Sequence, residues 1–430
     1  MGILAKLDFY YIMRLMDQMG EQIPADEPWK ATNAEQWDQM TFKEFIQKNV
    51  WSIDIQNFMK IFIGTCVTNE MYESSLLWFL WYVKQCGGTR SIFSTTYGGQ
   101  EFKVHGGTNQ ISDCIANSIG RDRIHLNEPV HYLEQSADHV LLRTIAGHEF
   151  RARYVIMALA PTLQQKIHYQ PPLPPMRNQL IQRAPMGSVL KCIVYYRKRF
   201  WIDHNMCGSL IIFGENDIEC PITYTLDDSK PDGTCPAIIG FMPADRARKL
   251  LDLTKEERLK LICQCYSKGF ACDDALDPIH YEEQNWMAEQ YSGGCYTMVC
   301  APGFLTRYGP YLRRPIGRIY FAGTETAWDW SGYMNGAIQS GEHAALEILA
   351  KMGRISPLEI NVSEPVSKEY PPVIIPATWI ERNGPSARSF IAGVSLTTIT
   401  ATMFTVYFGW KRWEFNQYWQ QYISHYIIDY

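Results

Sequence analysis

Three segments of this chain carry residues whose types and spacing could do chemistry. Cys295 follows Gly293 and Gly294 and precedes Tyr296, in the run SGGCY over 292–296. A second small-residue turn, WSGYMNG over 330–336, carries Tyr333. Lys191 is the single charge inside the apolar run SVLKCIVYY over 188–196. Paired glycines open backbone angles closed to other residues and let another group come close, so the Cys295 thiol is offered to something flat and nearby. A lysine within an apolar strand is costly unless it is paired or wetted. Taken singly, each has a plainer account: a tight turn with a small buried cysteine, aromatic packing, and a surface lysine.

The elements that must position these residues follow from periodicity and punctuation. Leu4, Leu7, Tyr11, Leu15 and Met19 repeat at helical spacing over 3–20, with Gly20 as the stop. Pro24 to Pro28 reads as a loop, and Thr41 with Glu44 forms a capping box. Residues 53–85 read as one or two long helices ending at Gly87 and Gly88. Gly106 and Gly107 precede an amphipathic helix with Ile111, Ile115 and Ile119. Short strands follow at 130–133, 139–144 and 148–150. The continuous apolar run RYVIMAL over 153–159 predicts a strand buried on both faces. Residues 163–184 read as a proline-rich connector and a helix, and 188–196 as a strand. Further strands are predicted at 210–213, 222–225 and 237–241, then a helix from Thr254 to about Lys268 whose Thr254 and Glu257 form a second capping box. Arg318–Ala322 is another short buried strand, running into the turn Gly323–Thr326. A helix from about Ser331 to Ala350 carries Gly332, Gly336, Ala337, Ser340, Gly341 and Ala344, small residues that permit close packing on a sheet or ligand. Its N-terminus offers free N–H groups and a partial positive charge to an electron-rich group.

Composition narrows the classes. The chain has 430 residues, a net charge of -5 and 46% hydrophobic residues, which suits two or three globular domains. No strongly basic domain is present, which argues against nucleic acid as a partner. Twelve cysteines are scattered without a CxxC, so no metal site is expected and reduced thiols are. Residues 352–388 are rich in Pro, Ser and Glu and read as a linker. Ser389 to Trp410 holds no charge in 22 residues, between Arg388 and the pair Lys411, Arg412. At about 1.5 Å per residue that run is roughly 33 Å long, enough to cross a bilayer core. The aromatic tail 413–430 suits a membrane interface.

SGGCY, FAGTETA and WSGYMNGA together resemble the monoamine oxidases, the membrane-anchored flavin-containing amine oxidases. LWFLWYVKQCGGT, STTYGGQE, GSVLKCIVYY, YTLDDSKP and HYEEQNW agree, and the resemblance runs from about residue 7 to 412. It implies an α/β (α+β) architecture. An FAD-binding Rossmann-like domain, here incomplete, interleaves with a mixed-sheet and helical substrate domain. The expected parts are 1–104 and 181–288 for the substrate domain, 105–180 and 289–351 for the FAD side, 352–388 as linker, 389–412 as the transmembrane anchor and 413–430 as the tail. The implied reaction is oxidative deamination of primary arylalkyl amines with O2 and water to aldehyde, ammonia and H2O2. The resemblance implies FAD bonded covalently through Cys295, Tyr296 and Tyr333 as two parallel rings of an aromatic cage, and Lys191 contacting the flavin through a water. Val130, Trp286, Thr324, Glu325, Gly332 and Met334 match positions around the cofactor. Thr65, Phe93, Gln100, Tyr224 and Phe241 match positions lining the cavity, and the Phe93 and Tyr224 combination reproduces neither mammalian subtype. Two tyrosines facing a nitrogen can hold an amine by its lone pair or, when protonated, by cation–π attraction. The outer mitochondrial membrane, a catalytic body facing the cytosol and a possible homodimer are also implied.

One departure is expected to matter. The GxGxxG turn that binds the FAD pyrophosphate in the family pattern does not occur in this sequence. The match begins about a hundred positions into that pattern, so the reading is of an N-terminally incomplete chain. A sheet without its central strand should have open edges and an unfilled core. The competing reading is therefore a catalytically inactive paralogue or isoform lacking the pyrophosphate site.

Overall fold

Strand alternation places Lys191. In a computed structural model of the chain, β6 (Val189–Tyr195) buries Leu190, Cys192 and Val194 on one face. Lys191, Ile193 and Tyr195 fall on the other. The structure describes every residue except 214–219, 361–372, 374 and 427–430, and the backbone alone for 419–426. β6 lies in an antiparallel sheet of order β7-β8-β6-β9, with β7 at Tyr224–Asp227, β8 at Ala237–Pro243 and β9 at His280–Asn285. Its register sets Lys191 between Phe241 of β8 and Gln284 of β9.

The opposite face of this sheet is covered by the Lys255–Phe270 helix, which starts at the capping box of Thr254 and Glu257. Ile262, Cys263, Cys265, Tyr266 and Phe270 of that helix join Leu190, Cys192, Val194, Ile238 and Met242 in one core cluster. Burial of each large apolar side chain contributes about 2 kcal/mol. The fit is close: a Cβ at Gly240 would lie 2.2 Å from the Tyr266 hydroxyl oxygen. Arg258 grips Glu283 of β9 with two hydrogen bonds at 2.9 and 2.5 Å.

A second sheet has order β3-β2-β1-β5, from β1 (Val130–Gln135), β2 (Val140–Thr144), β3 (Glu149–Ala152) and β5 (His168–Gln170). The apolar runs RYVIMAL and RIYFA supply β4 (Val155–Met157) and β10 (Ile319–Phe321), which pair in parallel. The expectation of burial on both faces of β4 is corrected. Met157 is buried, but Ile156, which points to the opposite face of the strand, is 39% exposed, so only one face of β4 is covered. The Asn109–Ile119 helix likewise buries none of its residues, and Ile115 and Ile119 are exposed.

Three other expectations shift. The predicted strand at 210–213 is reduced to one bridge, Ile211 to Tyr224, since Leu210 instead serves the loop that bonds Thr225. The strand predicted at 222–225 begins at Tyr224. The small-residue helix starts at Met334 rather than Ser331. Gly332 has φ +91 and Tyr333 is extended, so neither can be helical.

The Leu76–Gln85 helix is apolar around its whole circumference, and Leu76 through Val83 are all buried. Such a helix belongs in a core. Ser75 caps it, accepting a hydrogen bond from Trp78 N–H. The Thr41–Glu44 capping box also forms as expected, opening the Phe42–Asn49 helix.

The chain divides into two compact units, Leu15–Asn49 with Gln56–Pro376, and Met1–Arg14 with Val50–Ile55 and Ala377–Tyr430. In the second of these, buried Asp8 accepts hydrogen bonds from the N–H groups of Trp51, Ser52 and Ala387. Arg14 donates to the carbonyls of Glu381 and Gly384. The Ala387–Tyr426 helix outruns the predicted span of 389–412, and within it Ala387–Tyr418 is long and apolar enough to cross a membrane. Thr397, Thr398, Thr400, Thr402 and Thr405 each donate their hydroxyl to the carbonyl four residues back. That internal satisfaction explains how a threonine-rich helix can suit an apolar solvent. Most of the predicted linker core and the end of the aromatic tail lie outside the described residues.

Candidate active site

In the SGGCY loop it is Gly294 that permits close approach. Gly294 has φ +130, and a Cβ on it would meet the Gly187 carbonyl oxygen at 2.4 Å. Cys295 N–H donates to that same carbonyl at 3.0 Å. Thr68 fixes the loop from the other side. Its Oγ1 donates to the Cys295 carbonyl and accepts from Tyr296 N–H at 3.1 Å. Thr68 does this with φ +54, an uncommon angle for a β-branched residue, and strain of this kind gathers at functional sites.

The second loop is held as tightly. Gln85, at the end of the buried Leu76–Gln85 helix, accepts from Ser331 N–H at 2.9 Å through Oε1. Its backbone carbonyl accepts from Trp330 N–H at 3.3 Å. Thr324 accepts from Gly332 N–H at 2.5 Å and donates to the Tyr333 carbonyl at 3.1 Å. Ser331 Oγ donates to the Thr324 carbonyl at 2.7 Å. Tyr333 is thus clamped at its backbone, with Trp330 edge-on to its ring at 5.1 Å.

The ring lying parallel to Tyr333 is Tyr82, with hydroxyl oxygens 2.8 Å apart. Tyr296 is near enough that ionisation of either phenol opposes that of the other, and Cys66 lies beside both. Desolvation raises the phenols of Tyr82, Tyr296 and Tyr333, so all three stay neutral at physiological pH. Burial pushes the Cys295 thiol up to about 12, and the Lys191 charge opposes this only in part. Lys191 Nζ also lies 5.4 Å from the centre of the Phe241 ring. Glu325 is buried, its carboxyl raised by desolvation, and it accepts from Thr297 Oγ1 at 3.3 Å.

The remaining predicted residues fall in distinct places. Tyr224 packs on Phe241 with ring centroids 6.2 Å apart. Phe93 packs on Phe62 at 4.2 Å. Gln100 Nε2 donates to the Ile92 carbonyl at 3.2 Å. Met334 opens its helix and is 43% exposed, and Trp286 is 36% exposed. Val130 begins β1 in the other sheet. Thr65 Oγ1 and Gln85 Nε2 are buried and have no hydrogen-bond partner among the described residues. Buried polar atoms left this way retain capacity for a hydrogen bond. Sequence reasoning missed Thr68, Tyr82 and Gln85. The only available signals were Thr68 after an apolar helix and the polar end of the LWFLWYVKQ run.

Comparison with known proteins identifies the family. The model of the flavin containing amine oxidoreductase family matches residues 6–349. Amine oxidase [flavin-containing] B of Sus scrofa is 53% identical over 406 residues, covering 94% of this chain and 77% of that protein. The Homo sapiens protein of the same name is 52% identical over 406 residues, with the same shares. Cyclohexylamine oxidase from Brevibacterium oxydans superposes with a TM-score of 0.75 at 30% identity, covering 81% of this chain and 75% of that one. The chain belongs to the flavin-containing amine oxidoreductases, a family of flavoprotein oxidoreductases. Within that family its relatives place it with the monoamine oxidases.

Proposed function

We propose that this site holds FAD through a covalent bond to the Cys295 sulfur and oxidises primary arylalkyl amines. With O2 and water the products are the aldehyde, ammonia and H2O2. The observation that carries this reading is the gathering of Lys191, Tyr296 and Tyr333 around the Cys295 loop.

The residues fit the ring end of the cofactor. Cys295 stands on a glycine turn, and the unpartnered Thr65 Oγ1 and Gln85 Nε2 leave polar capacity at the site. Trp286, Thr324, Glu325, Gly332 and Met334 would hold that end, with Val130 toward the adenine. Segments 105–180 and 289–351 make up the FAD side; 1–104 and 181–288 make up the substrate side. When bound, FAD supplies the two-electron acceptor for the C–H bond beside nitrogen and passes the electrons to O2.

The chain supplies orientation and electrostatics. Tyr296 and Tyr333 flank the amine nitrogen with neutral phenols, so the cage offers π-faces without fixed negative charge. An amine entering as its free base keeps the lone pair that drives loss of a hydride equivalent. Lys191 holds a water at the cofactor. Phe93, Tyr224, Phe241, Thr65 and Gln100 shape the cavity and select the aryl group. The Ala387–Tyr418 span anchors the protein in the outer mitochondrial membrane with the catalytic body in the cytosol, where it forms a homodimer.

The test uses detergent-purified chain, supplied with FAD and benzylamine. Amine-dependent H2O2 and flavin that stays with acid-precipitated protein are expected, and Cys295→Ala should lose the acid-stable flavin. Wild-type protein showing neither signal would overturn the proposal in favour of a non-catalytic chain.

A further inference from the structure

Away from the amine site, two thiols meet on the far face of the β7-β8-β6-β9 sheet. Cys265 is 2% exposed, on the buried face of the Lys255–Phe270 helix. Cys220 is partly buried and packs against the same core cluster. Cys265 belongs to that cluster, and Cys220 is near enough that its charge would oppose ionisation of Cys265. The segment carrying Cys220 is tied down by Arg246, whose Nη1 donates to the carbonyls of Cys220 at 2.9 Å and Ile222 at 2.8 Å. Cys220 is therefore held beside Cys265 by bonds that do not involve sulfur.

We propose that Cys220 and Cys265 form a peroxide-responsive dithiol. Cys220 is the thiol that solvent reaches, and Cys265 is the resolving partner. In the first step, H2O2 oxidises the Cys220 thiol to sulfenic acid and one water leaves. In the second, the Cys265 thiol attacks the Cys220 sulfur, an S–S bond forms and the sulfenic oxygen leaves as a second water. The two thiols are oxidised by two electrons and the peroxide is reduced by two. Burial raises the Cys265 thiol to about 12, which keeps it protonated and directs the first attack to Cys220. The oxidant is the product of the proposed amine oxidation, and in that respect the inference rests on that reading. The disulfide would tie the Lys255–Phe270 helix to the segment that leads directly into Thr223 and Tyr224, so peroxide made at the site would act back on its wall.

The experiment uses added H2O2, so that its outcome is independent of catalysis. Purified full chain is treated with peroxide, its free thiols are alkylated under denaturing conditions, and peptides are mapped without reduction. The expected product is a 220–265 cross-linked pair two hydrogens lighter than the separate peptides. Cys265→Ser should leave Cys220 as a sulfenic acid that dimedone captures, and Cys220→Ser should abolish the cross-link. Exposed Cys114, Cys207 and Cys235 report the oxidant dose within the same sample. The inference is overturned if those cysteines are oxidised while wild-type chain shows no 220–265 link, whether Cys220 stays reduced or goes on to sulfinic acid. The wild-type map decides this even if a variant folds poorly.

Discussion

The hydroxyls of Tyr82 and Tyr333 lie 2.8 Å apart, and their rings are 13° from parallel with centroids separated by 6.3 Å. Tyr82 is buried on the Leu76–Gln85 helix, beside Cys66. It cannot reorient without disturbing the core, so it fixes the outer edge of Tyr333 while Thr324 fixes its backbone.

Tyr82→Phe should therefore loosen the cage without removing either of its rings. Losing one largely buried hydrogen bond costs about 1 kcal/mol, and the Tyr333 hydroxyl is left without that partner. Urea denaturation should show that loss. In turnover assays the amine KM should rise by more than kcat falls, because the change affects orientation and not the reacting atoms. An equal fall in kcat with unchanged KM would refute a positioning role.

Gly294 and Gly341 make opposite predictions for the same substitution. An alanine Cβ at Gly294 would sit 2.4 Å from the Gly187 carbonyl oxygen, on a backbone with φ +130. Gly294→Ala should destabilise by about 2–4 kcal/mol from overpacking and backbone strain. Gly341 lies inside the Met334–Lys351 helix, with nothing within 4 Å of its built Cβ. Gly341→Ala should stabilise the chain by up to about 1 kcal/mol through helix propensity. Thermal melts of the two variants beside wild type check both signs.

How much of this was legible in the sequence depended on the range of the interaction. The capping boxes at Thr41 and Thr254 are local, each joining residues three positions apart, and both formed. Lys191 was legible as an anomaly in an apolar run, and strand alternation explains it. The residues that hold the two loops were not legible, because they act across the chain. Thr68 reaches Tyr296 over 228 positions, Gln85 reaches Ser331 over 246 and Tyr82 reaches Tyr333 over 251. No periodicity reports a partner at that distance. The run at 153–159 failed for a related reason: apolar composition gives a strand's preference for cover, while Ile156 shows which cover is present.

The Cys295 thiol should be slow to react in flavin-free protein. Desolvation raises it to about 12 from the usual 9.0, with Lys191 working against the shift. Only the thiolate attacks iodoacetamide, so near pH 7.5 alkylation should be on the order of a thousandfold slower than for an ordinary thiol. The rate should climb with pH well beyond 9. Peptide mass spectrometry of flavin-free protein across pH 7–10 measures this. Lys191→Met should slow Cys295 further, since it removes the charge that favours the thiolate. Fast labelling of Cys295 at pH 7 would contradict the assigned environment.

Asp8 ties three separate backbone groups to one buried carboxylate. Oδ2 accepts from Trp51 and Ser52 N–H, each at 2.8 Å, and Oδ1 accepts from Ala387 N–H at 2.9 Å. Ala387 is the first residue of the long apolar helix, so the carboxylate satisfies a donor that the helix leaves unpaired and sits at its positive end. Asp8→Ala removes all three acceptor contacts and leaves one buried and two part-buried donors without that acceptor, at a cost of roughly 3 kcal/mol. Asp8→Asn keeps a carbonyl oxygen for part of the set and should lose about half as much. Because the three amides share one acceptor, hydrogen exchange at Trp51, Ser52 and Ala387 should speed up together in Asp8→Ala. Exchange within Leu76–Gln85, whose helix is capped by its own Ser75, should stay unchanged. Faster exchange at Ala387 alone would mean that Asp8 is a simple helix cap and that the 51–52 turn is held by something else.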